Sequence, residues 1–140
     1  MKYLLILLFL FSTQSFANLD GKGLLCIDKE GYPMAYYFYT NITVGDKVEK
    51  RAKYRWKSLF LKNDTISIKE VKDRDYSTNK DFIDLGNIKI NRKTLEGIYN
   101  GKVVGTCEVS NDQKDLDIKI NEMKEQYQQK LNKTLEGNKI

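Results

Sequence analysis

The segment Lys50-Arg-Ala-Lys-Tyr-Arg-Trp-Lys-Ser-Leu-Phe-Leu61 alternates cations with apolar and aromatic residues. As an extended strand it sets Arg51, Lys53, Arg55 and Lys57 on one face, and Ala52, Tyr54, Trp56 and Ser58 on the other. Cations about 7 Å apart along a strand make a stripe suited to anions such as lipid phosphate, acidic polysaccharide or nucleic acid. The plainer alternative is a solvated strand face whose lysines discourage edge-to-edge pairing. A second candidate is Met34-Ala-Tyr-Tyr-Phe-Tyr39, where Tyr36 and Phe38 alternate with Tyr37 and Tyr39. One of those faces packs a core; the other stacks a sugar or lies beneath a helix. Arg51, Lys53, Arg55, Lys57, Tyr37 and Tyr39 are therefore the candidate ligand-binding residues.

Catalysis is constrained by absences. The chain has no histidine, which removes a Ser-His-Asp triad, a Cys-His dyad and histidine-ligated zinc. Paired carboxylates could still hydrolyse a glycoside. Asp73, Asp75, Asp81 and Asp84 are the best-spaced acids, yet each lies in or beside a turn, where solvated acids are ordinary. Asp112-Gln-Lys-Asp115-Leu-Asp117 lacks the turn glycine and closing glutamate of a calcium loop, and Gly45-Asp46 forms no complete one either. The glycines give no phosphate-cradling motif. No catalytic residue, metal site or cofactor is expected. Asn41-Ile-Thr43, Asn63-Asp-Thr65 and Asn132-Lys-Thr134 match the N-glycosylation triplet, which matters only in a eukaryotic secretory route.

These groups need a scaffold and a compartment. Lys2, the apolar run Tyr3 to Phe11, and small residues at Ser15 and Ala17 read as an export signal over residues 1–17. Its nine apolar residues span about 14 Å in a helix, roughly half the hydrocarbon thickness, so no stable membrane insertion is expected after cleavage. Gly23-Leu-Leu-Cys26 is not a lipoprotein box, because Leu25 precedes the cysteine and the segment lies far beyond the apolar core. The product is expected to be exported, periplasmic or secreted. Removing 17 of 140 residues leaves 123, enough for one domain. Without Lys2, 23 basic residues face 19 acidic ones, a modest excess of +4. Lysine outnumbers arginine twenty to four and asparagine occurs eleven times, a bias of the kind an AT-rich genome produces. In an exported chain the two cysteines, Cys26 and Cys107, suggest one disulfide between the first strand and the last.

From Leu24 to Val109 the pattern has period two or short apolar runs bounded by Gly, Asn and Asp, as antiparallel β-proteins read. Strands are expected at Leu24 to Ile27, Met34 to Thr40, Lys50 to Leu61 and Thr65 to Val71, with Val44 to Val48 wrapping around Gly45-Asp46. After a polar loop from Lys72 to Asp81, further strands are expected at Phe82 to Leu85, Asn87 to Ile90, Leu95 to Tyr99 and Lys102 to Val109. Asn100-Gly101 predicts a type I′ hairpin, because both residues tolerate positive φ. From Asp112 the apolar residues Leu116, Ile120, Met123, Tyr127, Leu131 and Leu135 recur at helical spacing, with Asn111 or Asp112 to cap the start and Gly137-Asn138 to stop the helix. The expected fold is mainly β: a small antiparallel barrel or sandwich of seven to eight strands with a C-terminal amphipathic α-helix. Its expected parts are a signal peptide over 1–17, a β-domain over 18–110, and a helix over 111–137 belonging to the same domain.

Gly21-Lys-Gly-Leu-Leu-Cys26, Ile88-Lys-Ile-Asn-Arg-Lys-Thr-Leu-Glu96 and Gly105-Thr-Cys-Glu-Val109 resemble small exported β-proteins of marine bacteria. Those share a Gly-Lys-Gly-Leu-x-Cys start and an Asn-Arg-Lys-Thr-Leu turn. The likeness spans most of residues 21–109 and implies no chemistry, since those families carry none assigned. The cysteine frame is also similar to that of periplasmic C-type lysozyme inhibitors, which are small antiparallel barrels. Their Ser-Gly-x-x-Tyr stretch is missing here, and no inhibitory residue carries over.

The expectation is thus a non-enzymatic envelope binding module for an anionic or carbohydrate ligand. Its expected partners are an anionic polymer, a glycan or an envelope protein; nucleic acid is not expected. A protein inhibitor or assembly partner would instead show a flat apolar patch. A carboxylate-dependent hydrolase would need two acids converging about 5 to 9.5 Å apart.

Overall fold

The computed structural model describes residues 19–138, so the export-signal reading of residues 1–17 lies outside the described residues. The strands are β1 (Gly23–Asp28), β2 (Pro33–Val44), β3 (Val48–Lys62), β4 (Thr65–Asp75), β5 (Ser77–Thr78), β6 (Phe82–Asp84), β7 (Lys89–Asn91), β8 (Glu96–Tyr99) and β9 (Lys102–Ser110). They form a single antiparallel sheet in the order β4-β3-β2-β1-β9-β8-β7-β6-β5, followed by one helix, α1 (Gln113–Gly137).

This is the expected mainly-β fold with a C-terminal helix, but with nine strands rather than seven to eight. The expected polar loop from Lys72 to Asp81 is largely strand: β4 runs on to Asp75, and β5 follows after Tyr76 alone. Tyr76 is the one aromatic or apolar residue of this stretch, so it carries no alternation to read. The segment Val44 to Val48 wraps around Gly45-Asp46 as expected, with Val44 and Val48 the last pair of the long β2–β3 ladder.

The sheet is neither a closed barrel nor a two-sheet sandwich. β4 leads directly into β5, yet these are its two opposite edges and no ladder joins them. Strands β5, β6 and β7 are two to three residues long, too short to pair along the eleven residues of β4. The sheet nevertheless coils on itself. Tyr54 on β3 donates its hydroxyl to the carbonyl of Leu85, 3.0 Å away on the far flank, and the Tyr76 ring stands edge-on to Phe38 at 4.9 Å. A bulge in β4 sharpens the turn, since bulges increase local twist. Tyr54 pairs with Arg74 but Trp56 with Val71, and Asp73 in the extra length has a φ of 56°.

The inner face of this coil holds the core of Leu24, Tyr36, Phe38, Tyr54, Ile83, Leu85 and Ile90. The outer face is covered by α1, whose Leu116 and Ile120 bury Leu25 and Ala35, with Ile27, Tyr37, Leu59, Ile68 and Met123 around them. Asp112 caps the helix by accepting from the Asp115 amide at 2.8 Å. Further along, Gln128 accepts from the Ile66 amide at 2.7 Å and donates to the Asp64 carbonyl at 3.1 Å, engaging the free edge of β4. Tyr127 donates to the Gly31 carbonyl and stacks on Tyr32.

Cys26 and Cys107 are directly opposed on β1 and β9 and are joined as a disulfide. Two positions before Cys107 on β9, Gly105 faces Asp28; a Cβ there would sit 2.4 Å from the Ile27 carbonyl oxygen, so only glycine lets the strands approach. Asn100 and Gly101 have φ values of 49° and 73°, the hairpin geometry that their types predict.

Candidate functional site

The register of β2 and β3 opposes Asn41 to Arg51, Tyr39 to Lys53, Tyr37 to Arg55 and Ala35 to Lys57. All six candidate ligand-binding residues therefore share the outer face, the same face that α1 covers. The stripe is real as geometry, but every cation in it has an acidic partner. Arg51 pairs with Glu49 at 3.2 Å, Lys53 with Asp75 at 2.6 Å, Arg55 with Glu70 at 3.7 Å, and Lys57 with Asp117 of the helix at 2.6 Å. The Arg55 guanidinium also lies 4.8 Å from the centre of the Tyr37 ring and 5.9 Å from that of Tyr39.

Tyr39 donates to the Asp73 carboxylate at 2.6 Å and accepts from the Asp73 amide at 2.9 Å. Desolvation, then the hydrogen bond to Asp73, raises the Tyr39 hydroxyl above its ordinary pKa. The hydrogen bond and charge of Lys53 hold the Asp75 carboxyl below the usual carboxylate range. Four cations thus stand among five carboxylates, namely Glu49, Glu70, Asp73, Asp75 and Asp117.

The inner face carries a different arrangement. A half-open cleft of about 340 Å³ is lined by Met34, Tyr36, Tyr54 and Trp56 of β2 and β3, Val71 and Arg74 of β4, and the turn from Leu85 to Ile88. It lies along the gap where β4 fails to meet the far flank. Met34, Tyr36 and Ile88 also line a second, apolar cavity of about 50 Å³, whose other walls include Cys26, Cys107, Ile90 and Val104. No carboxylate lines the larger cleft.

The polar groups of the cleft differ in how they are engaged. Tyr54 is committed to the Leu85 carbonyl. Tyr36 is only 4% exposed, and its hydroxyl reaches a thioether, Met34 Sδ, at 3.5 Å. Burial, with a contribution from Tyr54, pushes its pKa to about 12, so it remains a proton donor at neutral pH. Arg74 is exposed and makes no ion pair among the described residues. The strand pattern separates these inner-face aromatics from the cations, but nothing local brings Trp56 to the Leu85–Ile88 turn; Arg74 carried no signal at all.

The candidate acids disperse. Asp73 and Asp75 are held by Tyr39 and Lys53 on the outer face. Asp81 lies 3.9 Å from Lys93, and Asp84 accepts from the Gly86 amide and lies 3.8 Å from Lys89. No group of three or more metal-ligating side chains occurs among the described residues, and none of their helices is long and apolar enough to cross a membrane. One further surface stands out. The far end of the β2–β3 ladder is exposed on both faces, with Ile42, Val44 and Val48 55%, 78% and 62% accessible. No protein-family model, curated protein or solved structure matches the chain.

Proposed function

We propose that this protein is a non-enzymatic, exported binding module of the cell envelope, and that its ligand is a carbohydrate held in the inner-face cleft. The observation that carries this reading is the cleft itself: Trp56, Tyr36 and Tyr54 line a half-open space with Arg74 at hand and without a carboxylate. Tyr36 and Tyr54 are buried, so the half-buried Trp56 offers the ring for the C–H face of a sugar, while the exposed Arg74 guanidinium meets hydroxyl or acidic substituents. A volume of about 340 Å³ falls at the small end of ligand sites, suited to one or two sugar rings. The disulfide belongs in an oxidising compartment, which supports the export reading of residues 1–17 and a periplasmic or secreted location.

The cationic stripe then has a structural part, with Lys57 tying the sheet to Asp117 of α1. Trp56 is the chain's one tryptophan, so its fluorescence reports the cleft directly. Titrating the oxidised protein with envelope saccharides should give a saturable change, and Trp56→Ala should abolish binding measured by calorimetry. Unchanged heat of binding in Trp56→Ala would remove the cleft from the reading. A second reading, an inhibitor or assembly partner, is favoured by the exposed ribbon end. If it holds, Val44→Asp with Val48→Asp should release a captured envelope protein while leaving saccharide titrations unaltered.

A further inference from the structure

We infer that the cleft selects an N-acetylated amino sugar, with the acetamido methyl in the apolar cavity and its carbonyl oxygen on the Tyr36 hydroxyl. This rests on the carbohydrate reading and deepens it. Three neighbouring features have to be satisfied by one ligand. The cavity beside the disulfide is walled mostly by sulfur and aliphatic carbon, from Cys26, Cys107, Ile90 and Val104; Asp28 also lines it, but its carboxylate is taken by the Glu30 and Tyr32 amides. At about 50 Å³ it has room for one or two methyl-sized groups, a water molecule's share of liquid being about 30 Å³. A sugar hydroxyl placed there would lose its water without gaining a partner, which is costly.

The second feature is Tyr36, which lines both the cleft and this cavity. Its hydroxyl is buried, and the thioether it reaches at 3.5 Å is a weak acceptor. A carbonyl oxygen is a far better one. The third is the mouth at exposed Arg74 and half-buried Trp56, with the Lys69 ammonium 5.9 Å from the centre of the Trp56 ring, which suits a polar ring rather than a hydrocarbon chain. A plain hexose could meet the second and third, at Tyr36 and Trp56, but leaves the cavity empty. An acyl chain could enter the cavity but would leave the polar mouth unused. An acetamido group on a pyranose offers a methyl and a carbonyl within one planar unit beside a stackable ring.

The test is Trp56 fluorescence titration with the tetramer of N-acetylglucosamine and with cellotetraose, a neutral oligomer of the same length and linkage without acetamido groups. The N-acetylated tetramer should bind about tenfold tighter or more, a step worth about 1.4 kcal/mol. Tyr36→Phe, and separately Val104→Phe to fill the cavity, should each cut that preference to below about threefold while saccharide binding persists. Equal affinity of the wild type for the two tetramers would overturn the acetamido assignment and leave the carbohydrate reading standing. A preference unaltered in both variants would also overturn it, since neither the hydroxyl nor the cavity would then be reading the group. No response to either saccharide, in a protein shown by circular dichroism to be folded, would overturn the carbohydrate reading together with the inference.

Discussion

The two faces of the β2–β3 ribbon are built from the same strands and differ in what their polar groups have already found. On the outer face Arg51, Lys53, Arg55 and Lys57 each meet a carboxylate, so a run of positive charge in the sequence becomes a near-neutral, internally paired surface. On the inner face the polar groups are few, but Tyr36 has only a sulfur partner and Arg74 makes no ion pair among the described residues. The charged face is not wholly satisfied, since Arg55 Nε is buried without a hydrogen-bond partner among the described residues. Its charges are nevertheless matched, whereas the aromatic face keeps a hydroxyl on a weak acceptor and a cation without an ion pair.

The largest test of this contrast is at the disulfide, which backs the inner face. Cys26→Ser with Cys107→Ser should lower stability by about 4 to 5 kcal/mol in the chain-entropy model, because the bond spans 81 residues. Urea unfolding measures it; a loss under about 1 kcal/mol would mean that β1–β9 pairing alone holds the inner face.

Next is the alkaline limb of stability. In the unfolded chain Tyr36 ionises near pH 10, whereas the folded protein keeps its proton until about pH 12. The unfolded state therefore releases a proton first, and stability that is complete below pH 10 falls as pH rises, by about 2 kcal/mol at pH 12 from this group. Tyr36→Phe should flatten the fall between pH 10 and 12 in urea titrations; an undiminished slope would assign it to other tyrosines. The outer face responds at the other end. The carboxyl of Asp75 is depressed by Lys53, so its contribution is present above the ordinary carboxylate pKa and fades as pH falls through the lowered one.

A smaller effect is expected at the join between sheet and helix. Lys57→Met should cost about 1 kcal/mol, because the Asp117 partner is left partly buried without its cation. Thermal unfolding reads this, and restoration by Asp117→Asn in the same chain would show that the pair rather than the lysine stem matters. The smallest effect is on anion binding. Replacing Arg51, Lys53 and Arg55 with Gln should weaken retention on a polyanion column no more than replacing the exposed Lys62, Lys80 and Lys102. A selective loss with the first set would restore the stripe as a binding surface.

Local signals carried much of the architecture. Leu116, Ile120 and Met123 at helical spacing do form the buried stripe of α1, Asn100-Gly101 makes its hairpin, and the alternation in β3 separates cations from aromatics as two-residue periodicity requires. Apart from Glu49, two residues from Arg51 on the same strand, the partners of the cations were not legible, because they come from elsewhere in the chain. Glu70 lies on an expected strand but meets the stripe only through β3–β4 pairing, and Asp75 reaches it only once β4 continues past a bulge at Asp73, a stretch with no apolar alternation to announce it. Asp117 lies sixty residues from Lys57. The cleft was hidden for a related reason: Trp56 and the Leu85–Ile88 turn become neighbours only through the coiling of the whole sheet.

The missing ladder between β4 and β5 has a mechanical consequence. The edges are consecutive in the chain through Tyr76, so they cannot drift apart, yet no backbone hydrogen bond fixes their separation. What spans the gap is side-chain packing: the Tyr54 hydroxyl on Leu85, the Tyr76 ring on Phe38 and Tyr54, and the shared core of Ile83, Leu85 and Ile90 with Tyr36 and Phe38. Widening the mouth of the cleft would part these contacts, where a closed ladder would have to be unzipped. The width of the site is therefore set by side chains rather than by backbone pairing.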